Sequence, residues 1–131
     1  MNQMPQQTNI DTVKRLYDLF NKRQWQDIAE LYSDTACFLD NRNDEFVIRT
    51  NEEIPTIYAA LERKYPGITE QILYIEESGD LVYVQFLTSG STRSGGYWQQ
   101  IAWTIFTVEN NKIAKVASYF NRPEKALSGV Y

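Results

Sequence analysis

The chain has 131 residues, of which 43% are apolar and 14% aromatic. That length and composition are typical of one compact domain with a substantial buried core. Thirteen basic and 17 acidic residues give a net charge of −4. Because the basic residues are dispersed along the chain, the sequence predicts neither a nucleic-acid partner nor an anionic membrane partner.

The sequence contains no histidine and a single cysteine, Cys37. This composition excludes Ser-His-Asp and Cys-His nucleophiles, histidine bases and the common transition-metal sites. We therefore expect no metal and no cofactor, and chemistry carried by carboxylate, phenol, indole and amide groups. No apolar run reaches the roughly 20 residues of a membrane span, and the first residues lack the apolar core of a signal peptide. The sequence predicts a cytoplasmic protein.

Apolar residues at helical spacing predict two helices near the start of the chain. The first begins with a capping box formed by Thr8 and Asp11. The second is short and runs from Trp25 to about residue 34. We expect residues 1–7 to be flexible and residues 8–131 to form one domain.

A first strand is predicted at 35–40, and a third helix opens with a capping box at Thr50 and Glu53. Short turns then separate four further predicted strands, so the sheet is expected to be largely antiparallel. These strands are expected near 69–77, 80–89, 97–109 and 112–121.

The strands predicted at 80–89 and 97–109 are apolar on both alternating faces. Both faces of the sheet must therefore be covered, and three helices can cover only one. We expect a second copy of the chain to cover the other face, which predicts a homodimer.

The order helix, helix, strand, helix and four antiparallel strands resembles the nuclear transport factor 2-like superfamily. Residues 31–40 (LYSDTACFLD) and 110–121 are similar to segments of its branch of ketosteroid isomerases and SnoaL-like polyketide cyclases. The resemblance implies an α+β fold of the cystatin-like type. In that fold a strongly curved, largely antiparallel sheet forms a cone-shaped barrel, and three N-terminal helices close a pocket against it. Unrelated reactions, or binding alone, occupy this pocket in the superfamily.

Carried over residue by residue, the resemblance implies a general base at Asp40. The alternative is an Asp that forms the turn after the strand. The oxyanion-binding tyrosine of ketosteroid isomerases falls on Leu16, with Tyr17 next to it, and their protonated carboxyl falls on Trp103. Asn121 stands where SnoaL-like cyclases carry an acid, and its amide can orient a substrate oxygen.

Further residues are candidates for the lining of a ligand pocket. Gln85 is an uncharged polar residue in an apolar strand, and it either fixes a ligand or makes a hydrogen bond across a dimer. Tyr17 and Tyr58 are either core aromatics or phenols that act on a substrate. The other predicted lining residues are Phe38 and Phe120.

Two functions of different classes follow. The first is an isomerase, cyclase or lyase in which Asp40 abstracts a proton alpha to a carbonyl of a small molecule. Tyr17, Trp103 or Asn121 would then hydrogen-bond the oxyanion. The second is a non-catalytic protein that binds an apolar small molecule or serves as a dimeric scaffold. A protein-docking module is a third interpretation.

Overall fold

The computed structural model describes residues 8–40 and 45–120, without the side chain of Asp40. Three helices and six strands make up this part of the chain, which confirms the predicted α+β class. In chain order they are α1 (Asn9–Asn21), α2 (Trp25–Ala29), β1 (Tyr32–Asp40), β2 (Val47–Thr50), α3 (Ile54–Lys64), β3 (Thr69–Ser78), β4 (Leu81–Ser91), β5 (Tyr97–Glu109) and β6 (Lys112–Phe120).

The six strands form one sheet in the order β2, β1, β6, β5, β4, β3. Adjacent strands are antiparallel except β1 and β6, which are parallel. The prediction of a largely antiparallel sheet is therefore confirmed. The parallel pair brings the first strand of the chain beside the last.

The start of α1 is determined locally and agrees with the prediction. The Thr8 side chain accepts a hydrogen bond from the Asp11 N–H, and the Thr8 N–H donates to the Asp11 carboxylate. This reciprocal pair satisfies two backbone donors that the first helical turn leaves free. Among the described residues, no helix is long and apolar enough to cross a lipid bilayer.

Two predicted boundaries on the N-terminal side are wrong. The second helix ends at Ala29, and Tyr32 belongs to β1 instead of the helix. The Ile113 N–H of β6 donates to the Leu31 carbonyl, so contacts with a distant strand end the helix early. The strand β2 was not predicted, because its four residues are too few to carry a periodic signal.

The third helix begins later than predicted. The Glu53 carboxylate accepts the Thr50 N–H at 2.9 Å, so the two residues of the expected capping box do meet. Their contact closes a turn that precedes the helix, and the helix itself begins at Ile54. Pro55 lies in the first turn, where its missing N–H costs no intrahelical hydrogen bond.

Side-chain alternation separates two faces of the sheet. The even-numbered residues of β4 and those of β5 from Ala102 to Val108 are buried, and their odd-numbered neighbours are partly or fully exposed. We call the buried side, on which the helices pack, the inner face and the opposite side the outer face. The inner face carries the single hydrophobic core, to which Val13, Phe20, Ile54, Val84 and Phe106 belong.

The end of α1 is attached to the start of β3 by a side chain. The Asn21 Nδ2 donates to the Glu70 carbonyl at 2.8 Å, and the Asn21 Oδ1 accepts the Glu70 N–H at 2.9 Å. Since β3 is an edge strand, these two bonds satisfy backbone groups that no neighbouring strand can reach.

We expect Asn21→Ala to lower the free energy of unfolding by about 1 kcal/mol, because both bonds to β3 are lost. Urea denaturation measures this change. Asn21→Asp is the matched control: it keeps an acceptor for the Glu70 N–H but loses the donor, so it should recover part of the loss. Unchanged stability in Asn21→Ala would show that water replaces both bonds equally well.

Candidate functional site

Three polar side chains cross the inner face in one line. Glu70 of β3, Thr88 of β4 and Gln100 of β5 are successive register partners. Register partners project their side chains from the same face of a sheet. Thr88 is only 3% exposed, whereas Glu70 and Gln100 keep part of their surface exposed. This polar row, Glu70, Thr88 and Gln100, therefore leads from the protein surface into the core.

Two polar atoms near this row lack partners. Within the described residues, neither the Thr88 Oγ1 nor the Trp98 Nε1 has a hydrogen-bond partner, although both atoms are buried. Trp98 lies opposite Gly90, where a Cβ would come within 3.2 Å of the Ile68 Cα and 3.4 Å of the indole ring. Glycine is needed there because the indole and the Ile68 backbone approach Gly90 so closely. Burying polar atoms without partners is unfavourable, so these two mark an exceptional position.

Burial raises the pKa of the Glu70 carboxyl to about 8. The residue keeps some exposed surface, but its carboxyl end lies among protein atoms that replace water. Desolvation disfavours the charged form of an acid. Glu70 is therefore mostly protonated at neutral pH, where it can donate a hydrogen bond.

Three tyrosines interact with this carboxyl group, of which Tyr17 and Tyr32 are buried and Tyr58 is partly buried. The hydroxyls of Tyr32 and Tyr58 are 2.8 Å apart and share a hydrogen bond. Burial raises the pKa of Tyr17, Tyr32 and Tyr58, and the charge of an ionised Glu70 raises each pKa further. These phenols remain protonated throughout the neutral range and can act only as hydrogen-bond partners there.

A chain of hydroxyl groups connects α1 to β6. The Thr104 Oγ1 lies 3.1 Å from the Ser118 Oγ, and the Thr104 side chain lies close enough to the Tyr17 hydroxyl to lower its pKa against the effect of burial. Ser118 is the register partner of Asp40 in the parallel pair of β1 and β6. The hydroxyl chain of Tyr17, Thr104 and Ser118 thus ends one strand away from the backbone of Asp40.

The predicted site residues divide between the two faces of the sheet. Leu16 and Tyr17 belong to the hydrophobic core, and Phe38, Tyr58 and Phe120 are partly buried and pack against it. Trp103 and its register partner Gln85 lie on the outer face instead, and Trp103 is 50% exposed. Both are odd-numbered in strands whose even-numbered residues are buried, so they lie on the side of the sheet away from the helices. Asn121 and the Asp40 side chain lie outside the described residues.

Two clefts lie among the described residues. One of about 490 Å³ is lined by residues of α2, of α3 and of the turn before α2, including Arg23, Trp25 and Arg63. The other, of about 410 Å³, is lined by residues that include Asp34 and Glu109. The polar row lines neither cleft. Among the residues that the structure describes, no group of three or more acidic or cysteine side chains could hold a metal ion.

Comparison with known proteins agrees with this architecture. The sequence model of the SnoaL-like domain matches residues 13–116. The chain belongs to the SnoaL-like domain family. No curated protein matches the sequence significantly.

Solved structures show the same fold at low sequence identity. A putative SnoaL-like polyketide cyclase from Jannaschia sp. CCS1 has a TM-score of 0.79 and 19% identity, over 99% of this chain and 96% of that one. A protein with a ketosteroid isomerase-like fold from Catenulispora acidiphila has a TM-score of 0.77 and 13% identity, over 87% and 88%. An epoxide hydrolase from M. tuberculosis has a TM-score of 0.73 and 14% identity, over 86% and 82%. The predicted resemblance to SnoaL-like proteins is confirmed by the family model, and the predicted fold is confirmed by these structures.

Sequence reasoning missed Glu70, the titratable group that burial perturbs most clearly among the described carboxyls. One signal was present: Glu70 and Ile72 alternate in a strand whose partner buries Thr88 and Phe86. The change in pKa cannot be read from this pattern, because it depends on which helices cover the strand.

We expect Glu70→Gln to change how stability depends on pH. The Glu70 carboxyl titrates near 4.5 when unfolded and near 8 when folded. Between these values the folded protein binds a proton that the unfolded chain has released. The binding of this proton therefore contributes fully to stability below pH 4.5, and this contribution is lost as the pH rises to about 8.

The Glu70→Gln variant lacks this titration. Its free energy of unfolding minus that of the parent protein should therefore rise by about 2 kcal/mol as the pH increases from 4.5 to 8. This figure allows for the partial exposure of Glu70. Urea denaturation at several pH values measures the difference. Glu109→Gln, at an exposed position, is the control and should follow the parent protein. Parallel curves for Glu70→Gln and the parent would contradict a desolvated carboxyl.

Proposed function

We propose that this protein is a cofactor-free enzyme of the isomerase, cyclase or lyase type that acts on an apolar small molecule with a carbonyl group. The Asp40 carboxylate takes the proton alpha to the carbonyl, and the electron pair of the broken C–H bond moves into an enolate. The enolate oxygen accepts a hydrogen bond from Tyr17, and proton return at another carbon completes an isomerisation. Asn121 is a further candidate for orienting the substrate.

The observation that carries this proposal is the hydroxyl chain of Tyr17, Thr104 and Ser118. It is a line of hydrogen-bonding groups among apolar neighbours such as Phe86 and Phe106, whose ring centres lie 5.4 and 6.2 Å from that of Tyr17. Hydrogen bonds to a developing oxyanion are strongest where water is excluded.

The ionisation of Glu70 supports a division of roles between two carboxyls. With a pKa of about 8, Glu70 is a poor base at neutral pH but a good hydrogen-bond donor. Glu70 is therefore not the proposed base, and it lies on β3, four strands from the β1 strand of Asp40 in the sheet order.

Proteins of similar fold supply the reaction class. The related structures are described as a SnoaL-like polyketide cyclase and an epoxide hydrolase. Low identity limits what they support, because one fold hosts many reactions. The proposal for this chain therefore depends on its own residues.

We expect Asp40→Asn to slow proton exchange alpha to a ketone by about 100-fold or more, because an amide cannot accept the proton. Incorporation of deuterium into β-tetralone in heavy water, followed by proton NMR, measures the rate. The far-ultraviolet circular dichroism spectrum should be unchanged.

Asp34→Asn is the matched control, since Asp34 is exposed on the same strand. It should exchange protons at the parental rate. Equal rates for Asp40→Asn and the parent protein would exclude Asp40 as the base.

We also propose that the protein forms a homodimer through the outer face. Four register partners cross this face from β3 to β6: Tyr74, Gln85, Trp103 and Tyr119. The three aromatic side chains of this aromatic row are 41–52% exposed. An amide both donates and accepts hydrogen bonds, so Gln85 can pair with its own copy across a two-fold axis.

Trp103→Glu should convert the dimer into a monomer, because a charge would be buried without a partner at the centre of the interface. Sedimentation equilibrium gives the mass. Ala60→Glu introduces the same charge at an exposed position of α3, on the opposite side of the sheet, and should leave the dimer intact. A parental mass for Trp103→Glu would exclude this interface.

Binding without catalysis is the second candidate function. It is favoured by the position of Trp103, which the resemblance assigned to the oxyanion site and which lies on the outer face. A protein of this kind would bind the ketone with the same affinity before and after Asp40→Asn and would exchange no protons.

A further inference from the structure

We propose that the polar row and Trp98 form a subsite that binds a neutral oxygen atom, from an alcohol or a ketone, at the far end of an apolar ligand. This inference rests on the proposed function, because it concerns the other end of the same small molecule. It assigns a role to Glu70, Thr88, Trp98 and Gln100, which the proposed proton transfer does not require.

The available hydrogen-bonding groups determine the ligand chemistry. The indole of Trp98 can only donate, so its partner must offer a lone pair. The hydroxyl of Thr88 and the amide of Gln100 can donate or accept. A protonated Glu70 adds another donor without adding a charge. An uncharged oxygen can accept a hydrogen bond from the indole N–H and from the Thr88 hydroxyl, whereas an ammonium group would face the indole N–H unfavourably.

Two buried polar atoms of the subsite have no hydrogen-bond partner among the described residues, which is evidence for a ligand. Among the described residues, the Thr88 Oγ1 and the Trp98 Nε1 are buried and unpartnered, and the Thr88 residue is 97% buried. A buried polar atom without a partner destabilises the folded protein, and a ligand that supplies the missing bond recovers this loss.

The spacing between polar groups describes the body of the ligand. Thr104 of the hydroxyl chain is the register partner of Val84 on β4. Val84 lies four residues before Thr88, a distance of roughly 13 Å along a strand. Between them lie Ile72, Phe86 and Ala102, and Phe86 and Ala102 are buried in the core, where Tyr17 packs on Phe86. A ligand that reaches both polar groups must displace part of this packing, must be apolar in its middle and must carry an oxygen atom at each end.

The subsite can be reached from solvent. Glu70, Trp98 and Gln100 each keep part of their surface exposed, and only Thr88 is fully enclosed. The ring of Tyr65, at the end of α3, packs edge-on against Trp98 with ring centres 4.9 Å apart. A ligand would thus enter beside this aromatic pair and reach Thr88 last.

A matched pair of probes tests the subsite. One is a cyclohexanone that bears a para-hydroxyphenyl group, and the other carries a plain phenyl group in its place. Indole N–H signals in a proton–nitrogen correlation spectrum report on the three tryptophans, and Trp98→Phe identifies the signal of Trp98. We expect the hydroxylated probe to shift the Trp98 signal and to bind more tightly, while the signal of Trp103 on the outer face stays unchanged.

Thr88→Val should remove the preference for the hydroxylated probe, which corresponds to about tenfold in its dissociation constant for one lost hydrogen bond. The same variant should unfold at a higher temperature than the parent, because it removes an unsatisfied buried hydroxyl. Thr107→Val, on the outer face, is the matched control and should change neither the preference nor the effect of the probes on Trp98.

Equal affinity of the parent protein for the two probes, or a lower unfolding temperature for Thr88→Val, would overturn the subsite. The proposed reaction is tested separately, since Asp40→Asn should keep the response of Trp98 to the hydroxylated probe. Loss of proton exchange in that variant with binding retained supports both proposals. Binding without any exchange in the parent protein removes the reaction and leaves the subsite.

Discussion

The alternation of side chains along β4 and β5 is the constraint on which the site depends. Each residue of these strands faces either the helices or the opposite side, and a shift of one residue would exchange the two sets. Residues that are paired on neighbouring strands face the same side, so Glu70, Thr88 and Gln100 lie side by side on one face. The same register lines up Gln85 and Trp103 on the other face. The proposed reaction and the proposed dimer contact therefore use opposite faces of the sheet.

The inner face combines two kinds of polar group within one hydrophobic core. The hydroxyls of Thr104 and Ser118 are hydrogen-bonded to each other, whereas the Thr88 Oγ1 and Trp98 Nε1 have no partner in the described residues. Linked groups stabilise the fold and hold their positions, and unpartnered groups reduce stability. A fold that keeps both kinds has the character of a binding site, where stability is lower than packing alone would allow.

Local features could be predicted from the sequence, and features that depend on distant contacts could not. The capping box of Thr8 and Asp11 involves neighbouring residues, so its pattern was sufficient. The face of Trp103 could not be predicted because both alternating sets of β5 are apolar, and only the covering helices decide between them. Glu70 shows the same limit, since its pKa follows from desolvation by residues far away in the chain. The fold class needed only the order of elements, which explains why it was correct.

The parallel pairing of β1 with β6 has a consequence for how the chain folds. Tyr32 pairs with Ile113 and Asp40 with Ser118, so these contacts join residues about 80 positions apart. Pairings between distant residues form late, because closing a long loop costs entropy before any contact compensates for it. During synthesis β1 emerges from the ribosome long before β6 and has only the short strand β2 as an earlier partner. An unpaired edge of this kind invites association with other chains, so the slow step of folding coincides with the stage at which aggregation is most probable.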